Sequence, residues 1–182
     1  MNHNRAQLRL ACMDDLPILN ALIEKSVRQL SVAYYTARQI ESTLIYIFGV
    51  DTQLIADGTY FVAEMDDRII GCGGWSKRRT LFGGDQMKLL EDSLLDPVSE
   101  AARIRAFFID PDYTRRGIGK QIIEVCEEEA SAAGFKWLEL GATLPGEPMY
   151  RAVGYRAVER IEYVMPDGES IPIIRMEKTL EK

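Results

Sequence analysis

Residues 104–120 read IRAFFIDPDYTRRGIGK and are the most informative part of the sequence. Ile104 to Ile109 form an apolar and aromatic run that predicts a strand, and residues 110–116 form a turn around Pro111. From Gly117 to about residue 133, apolar side chains recur at helical spacing, with glutamates on the other face. Trp137 to Leu140 is the next predicted strand. The order predicts a β-α-β unit with a right-handed crossover.

The turn that leads into this helix has the composition of an anion-binding site. The first amides of a helix lack acceptors within the helix, and its dipole adds partial positive charge there. Glycines at 117 and 119 remove side chains that would keep a phosphate from those amides. Arg115, Arg116 and Lys120 add compensating charge. The stretch is therefore predicted to hold a diphosphate.

Two other phosphate loops are excluded by spacing. A P-loop ending at Lys120 needs glycine at 114 and serine or threonine at 121, where Thr114 and Gln121 stand. A dinucleotide fingerprint starting at Gly117 needs a small residue at 122, where Ile122 stands, and it normally follows the first strand.

N-terminal to this unit, the pattern predicts a strand over 7–12, a helix capped by Asp14 or Asp15, and a second helix from Thr36 to about Phe48. Residues 60–65 and 68–72 flank the two-residue turn at 66–67 and predict a hairpin. The glycines at 71, 73 and 74 indicate a bulge or a close backbone approach. Residues 78–102 are a long connection, with a short helix suggested by Met87, Leu90 and Leu94.

After the unit, a short helix is predicted around Met149 to Val153, followed by strands over 157–165 and 171–177. No second core is indicated, so residues 1–182 are predicted to form one domain. The expected fold class is α/β (α+β): a mixed, splayed sheet of six to seven strands flanked by about four helices.

Composition restricts the class of protein. The chain has 182 residues, 47% of them apolar and 27% charged, with a net charge of −6. An acidic chain is not expected to bind nucleic acid or anionic membranes, and no apolar run is long enough to span a bilayer. Cys12, Cys72 and Cys126 are interpreted as reduced core thiols of a cytoplasmic protein. No cluster has metal-ligand spacing, and His3 is interpreted as part of a terminal tail.

The run from Phe107 to Gly119 resembles the cofactor signature of the GNAT superfamily of N-acetyltransferases: Gln or Arg, two variable residues, Gly, any residue, then Gly or Ala. Thr114 replaces the usual first residue of that signature. Tyr150, Gly154 and Tyr155 are similar to the family's late motif of aromatics around a glycine. The order of predicted elements matches the family over nearly the whole chain.

This resemblance implies acetyl-coenzyme A as cosubstrate, with its acetyl-pantetheine arm between the splayed fourth and fifth strands. It implies that backbone amides near Phe108 and Ile109 hold the arm and polarise the thioester carbonyl. The residues implied to contact the cofactor's diphosphate are Thr114, Arg115, Arg116, Gly117, Ile118, Gly119 and Lys120.

Tyr150 aligns with the tyrosine that protonates the departing thiolate in many relatives, and the alternative is a helix aromatic packed on the sheet. Arg103 and Arg105 stand on the fourth strand, where some relatives carry an acid. Glu139 is the candidate general base, against the alternative of a solvated or ion-paired glutamate. Glu100 is a weaker candidate.

The implied function is acetyl transfer to a primary amine by direct attack in a ternary complex. The acceptor is a small molecule or a peptide, and relatives are often homodimers. A non-catalytic acyl-coenzyme A sensor and a nucleotide-binding module are the competing interpretations. Tyr34, Tyr35 and Trp75 are interpreted as packing residues before any role in an acceptor pocket.

Overall fold

The computed structural model describes residues 5–88 and 92–180. Within these ranges the helices and strands follow in the order β1 (Gln7–Leu10), α1 (Leu16–Leu30), α2 (Ala37–Tyr46), α3 (Thr52–Ala56), β2 (Tyr60–Met65), β3 (Arg68–Ser76), β4 (Ala102–Ile109), α4 (Ile118–Ala132), β5 (Trp137–Ala142), α5 (Glu147–Ala152), β6 (Arg156–Val164) and β7 (Ser170–Thr179). Short 3-10 turns cover Met13–Asp15, Asp85–Met87 and Pro111–Tyr113.

The strands form one seven-stranded sheet in the order β1-β2-β3-β4-β5-β7-β6. Neighbouring strands are antiparallel except β4 and β5, which are parallel. That pair is joined only at Ala102 opposite Leu138 and Arg103 opposite Glu139. C-terminal to these two pairs, β4 and β5 form no backbone pairs with each other. The predicted splayed sheet is thus confirmed.

Helices cover both faces of the sheet and create two cores. One core packs α4 and α5 on one face, with Ile122, Cys126 and Leu140 fully buried. The other packs α1 and α2 on the opposite face, with Leu19 and Ile173 fully buried. The sheet therefore separates two layers of helices, and the β4–β5 gap runs between them.

Local signals explain most element boundaries. Thr36 caps α2, accepting from the Gln39 amide while the Gln39 side chain accepts from the Thr36 amide. Asp66 and Asp67 both have positive φ, 50° and 58°, as a tight hairpin turn requires. The predicted buried face of α4 is confirmed at Ile118, Ile122, Cys126 and Ala130. Of the other predicted core positions, Val125 is half-buried and Ala133 is exposed, whereas Ile123 is buried in the core.

Several sequence expectations were wrong in detail. Cys12 is exposed rather than in the core, because β1 ends before it, whereas Cys72 and Cys126 are buried. The sequence missed α3, a five-residue helix capped by Asp51. Only a 3-10 turn forms at Asp85–Met87, and Leu94 makes an isolated bridge with Arg78. Leu90 and His3 lie outside the described residues. Within the described residues, no helix combines the length and apolarity needed to cross a bilayer.

Candidate active site

The β4–β5 gap is bordered by a bulge in β4. Ala106 has a positive φ of 55°, and Ala106 and Phe107 together lie opposite Gly73 of β3. A side chain at Gly73 would lie 2.7 Å from the Phe107 ring. The glycines that the sequence indicated as a bulge or close approach therefore seat the Phe107 ring against β3.

The bulge determines which β4 amides face the gap. The Asp110 amide donates to the Ile70 carbonyl of β3 at 2.9 Å. Amides alternate in direction along a strand, so the Phe108 amide also faces β3, where Cys72 is the register partner of Phe108. The amides of Phe107 and Ile109 therefore face the gap. The geometry supports Ile109 as a cofactor contact and favours Phe107 in place of Phe108. This choice depends on the position of the bulge in β4, which the glycines of β3 do not specify.

The N-terminus of α4 lies at the open end of the gap. Its first-turn amides, at Ile118, Gly119 and Lys120, have no acceptor within the helix, and no carbonyl elsewhere in residues 5–88 and 92–180 accepts from them. Arg115 and Gly117 both have positive φ, 61° and 78°, in a turn of the kind that directs successive amides to one side. These free donors fit a diphosphate such as that of coenzyme A.

The two glycines of the turn have different roles. A side chain at Gly117 would meet no atom within 4 Å, so this position leaves the helix end open. A side chain at Gly119 would lie 2.3 Å from the Met149 sulfur of α5. Gly119 therefore permits α4 to pack against α5, and only its amide is available to a ligand.

The polar and charged side chains around the N-terminus of α4 each have different neighbours. The Arg116 guanidinium lies 4.9 Å from the centre of the Tyr113 ring and lines a polar concavity of about 340 Å³ with Arg68 and Asp112. Lys120 is exposed and lies 3.8 Å from Glu124. Arg115 is exposed, and the Thr114 hydroxyl donates to the Pro111 carbonyl at 3.1 Å.

Lys25 of α1 neutralises the acidic turn before α4. Its ammonium contacts Asp110 at 2.7 Å and Asp112 at 2.8 Å. Hydrogen bonding to Lys25 lowers the pKa of Asp112. Two carboxylates that would repel a phosphate are thereby paired with a cation.

Tyr150 of α5 is buried beside the bulge. It is 8% exposed, and its ring meets the Phe107 ring edge-on with centroids 6.1 Å apart. Within the described residues its hydroxyl has no hydrogen-bond partner, and burial raises its pKa. Because of this raised pKa, the phenol of Tyr150 stays protonated at neutral pH. The Tyr155 hydroxyl, by contrast, donates to Glu127 at 3.1 Å and has a structural role.

Glu139 is held by two arginines at the closed end of the gap. One carboxylate oxygen accepts from Arg103 of β4 and the other from Arg175 of β7. Glu100 is likewise engaged, by Arg79 and by the Asp96 amide. The geometry therefore supports the ion-paired interpretation of Glu139 over the role of general base.

Of the aromatic candidates Tyr34, Tyr35 and Trp75, the last two are packing residues. Tyr35 is buried, its hydroxyl accepts from the Leu144 amide at 3.0 Å, and burial raises its pKa to about 12. Tyr34 is exposed. Trp75 is buried and donates to Glu129 at 2.9 Å.

A family model described as "Acetyltransferase (GNAT) domain" matches residues 56–157, more than half of the chain. No curated protein sequence matches significantly.

Solved structures of low sequence identity share the fold. A GCN5-related N-acetyltransferase from Rhodopseudomonas palustris has a TM-score of 0.73 at 21% identity, covering 99% of both chains. The PaiA N-acetyltransferase from Thermoplasma acidophilum, in complex with coenzyme A, has a TM-score of 0.64 at 14% identity, covering 96% of this chain and 98% of that one.

The phosphinothricin acetyltransferase from Sinorhizobium meliloti, in complex with acetyl-coenzyme A, has a TM-score of 0.62 at 16% identity, covering 97% of this chain and 89% of that one. Together with the family match, the sheet, the gap and the free amides at its mouth lead to one conclusion. The chain belongs to the GNAT acetyltransferase family and is an acyltransferase that depends on acetyl-coenzyme A.

Proposed function

We propose that this protein transfers an acetyl group from acetyl-coenzyme A to a primary amine by direct attack in a ternary complex. The observation that carries the proposal is the β4–β5 gap, which opens after the Arg103–Glu139 pair and has the free amides of α4 at its mouth. Two of the three similar structures described above contain coenzyme A or acetyl-coenzyme A.

Each part of the gap has a place in this reaction. The cosubstrate supplies an activated thioester. The amides of Ile118, Gly119 and Lys120 hold the diphosphate, and the Phe107 and Ile109 amides face the pantetheine arm and the carbonyl. Negative charge develops on the thioester carbonyl oxygen as an amine attacks. Amide donors that are already in position stabilise this charge without reorganisation.

Tyr150 is proposed as the general acid that protonates the departing thiolate. Its ring packs on Phe107, next to the gap, and its hydroxyl has no hydrogen-bond partner among the described residues. Burial raises the pKa of Tyr150, so the phenol keeps its proton until the basic thiolate departs and can accept it.

The two buried cysteines, Cys72 and Cys126, are unsuited to form a covalent acetyl-enzyme. Burial raises the pKa of Cys72 to about 12 and also raises the pKa of Cys126. A thiol attacks a thioester as its thiolate, which these environments disfavour. Direct attack by the amine requires neither residue.

The test is to incubate purified protein with labelled acetyl-coenzyme A and a pooled library of primary amines, and to measure free coenzyme A and labelled amides. The proposal predicts release of coenzyme A together with an acetylated amine. Absence of both for every amine, under conditions where the cofactor binds, would contradict it.

One observation favours a second candidate, a non-catalytic acyl-coenzyme A sensor. The β4 positions where some relatives carry an acid hold Arg103 and Arg105, and Glu139 is ion-paired. A sensor would bind acetyl-coenzyme A tightly and release no coenzyme A above background in the same assay.

A further inference from the structure

One face of the gap is left for the acceptor amine. On β5, Leu138, Leu140 and Ala142 are buried in the core beneath α4 and α5, where Tyr150 also lies. Glu139 and Gly141 alternate with them and face the layer of α1 and α2. An amine that attacks a thioester in the gap must therefore approach from the Gly141 face.

Aromatic rings border the gap on that face. Phe82 lies over Gly141 on the β5 side, where a side chain at Gly141 would be 3.1 Å from its ring. Phe82 meets Tyr163 edge-on with centroids 5.3 Å apart. On the β4 side, Phe108 meets Phe48 edge-on at 6.0 Å. All four rings are half-buried and retain surface that a ligand can cover.

A single buried hydrogen-bonded unit holds Phe82 in place. Arg105 of β4 is 2% exposed and donates to the carbonyls of Thr80 and Gly83, on either side of Phe82. The same guanidinium pairs with Asp51 at 2.9 Å. Since the Gly84 amide also donates to the Ile47 carbonyl, this unit fixes the segments that carry Phe82 and Phe48 relative to one another.

The carboxylates beside these rings are already paired. Glu139 contacts Arg103 and Arg175, and Asp51 contacts Arg105 and Lys88. A second ammonium group on a substrate would have to displace one of these cations, whereas an apolar body would cover the half-buried rings.

On the basis of the proposed acetyl transfer, we propose that Phe82 and Phe48 form the walls of the acceptor subsite. This subsite takes the aromatic or apolar body of a monoamine and disfavours polyamines. Arg105 is a positioning residue for this subsite, and Phe82 determines specificity.

The test compares kcat/KM for 2-phenylethylamine, ethylamine and spermidine in the wild-type protein and in Phe82→Ala. The wild type is expected to prefer 2-phenylethylamine. In the variant, kcat/KM for 2-phenylethylamine falls about tenfold, and that for ethylamine changes by less than about twofold. Val98→Ala, on the same connection and 72% exposed, is the control and is expected to keep the wild-type preference. If Phe82→Ala does not fold, Phe82→Leu replaces it.

The outcomes separate the two proposals. If the wild type acetylates all three amines equally, or if Phe82→Ala changes all three by the same factor, the subsite is wrong and acetyl transfer stands. If the wild type binds coenzyme A and acetylates no amine in the wider library, the proposed function fails as well. Coenzyme A affinity measured by calorimetry is expected to be unchanged in Phe82→Ala, and a lost affinity would place Phe82 in the cofactor site instead.

Discussion

Tyr150 is buried and Glu139 is half-buried, and their polar atoms have different surroundings. The Tyr150 hydroxyl has no partner among the described residues, whereas both Glu139 oxygens accept from guanidinium groups. A proton donor must be free to reach the leaving group, and a base must have a free lone pair. At the residue level, the structure therefore favours Tyr150 and leaves deprotonation of the amine to solvent.

Replacement of Tyr150 by phenylalanine tests the first part. Tyr150→Phe removes the proton donor and keeps the ring that packs on Phe107, so kcat is expected to fall about a hundredfold. The dissociation constant for coenzyme A should stay within about twofold of the wild-type value. Steady-state kinetics and calorimetry measure the two quantities. Equal activity in the variant would reduce Tyr150 to a packing residue.

The pH profile tests the second part. If solvent removes the proton, kcat/KM rises with pH up to the pKa of the amine itself, about 10 for an alkylamine such as lysine. Because burial raises the pKa of Tyr150, its proton is retained over this range. The profile is measured with two amines of different pKa, and its inflection should move with the amine. An inflection that stays near pH 7 for both would reveal a protein base.

Between elements, close backbone contacts and ion pairs join neighbouring strands and helices. Gly74 of β3 packs against β2, and a side chain there would lie 2.4 Å from the Thr59 carbonyl oxygen. Arg9 of β1 joins Asp15, just before α1, to Glu64 of β2. Each contact can be tested by a single substitution.

The variant Gly74→Ala should lower the free energy of unfolding by about 2–3 kcal/mol, because a backbone carbonyl cannot move aside as a flexible side chain can. The control is Gly146→Ala, where the nearest atom would be the Thr143 hydroxyl at 3.3 Å and the expected change is below about 1 kcal/mol. Urea denaturation followed by circular dichroism measures both. Equal stabilities would show that β2 and β3 tolerate a wider separation.

The Arg9–Asp15 pair predicts an acid-dependent loss of stability. Hydrogen bonding to Arg9 lowers the pKa of Asp15 from 3.8 to about 2. A carboxyl group whose pKa is lower in the folded state stabilises the protein above its unfolded pKa, and this contribution is lost as the pH falls from about 4 to 2. Asp15→Asn should therefore be less stable than the wild type by about 2 kcal/mol at pH 6 and nearly equal to it at pH 2. A difference that does not change with pH would exclude this linkage.

For the whole molecule, local patterns predicted what local interactions determine. The β-α-β unit, the hairpin at 66–67 and the free amides of α4 were predicted because each depends on nearby residues. The glycines of β3 indicated a bulge or a close approach, but the sequence did not place the bulge at Ala106. The positive φ of Ala106 has no glycine to signal it, and its carbonyl accepts from the distant Tyr60 hydroxyl at 3.0 Å.

The path of residues 77–88 was likewise unpredictable, because it depends on the buried ion pair between Arg105 and Asp51, 54 residues apart. Homodimer formation depends on contacts between two chains, which the local patterns of one chain do not determine. β6 is an edge strand with an exposed surface, and homodimer formation through the closing strands stays a prediction that light scattering would test.

A crystal structure of the protein with coenzyme A bound would show directly where the cofactor lies. We expect the diphosphate within hydrogen-bond distance of the amides at residues 118–120, with the pantetheine arm along Phe107–Ile109 between β4 and β5. A diphosphate bound elsewhere, or a β4–β5 gap filled by side chains with the cofactor outside it, would show that the proposed cofactor site is wrong.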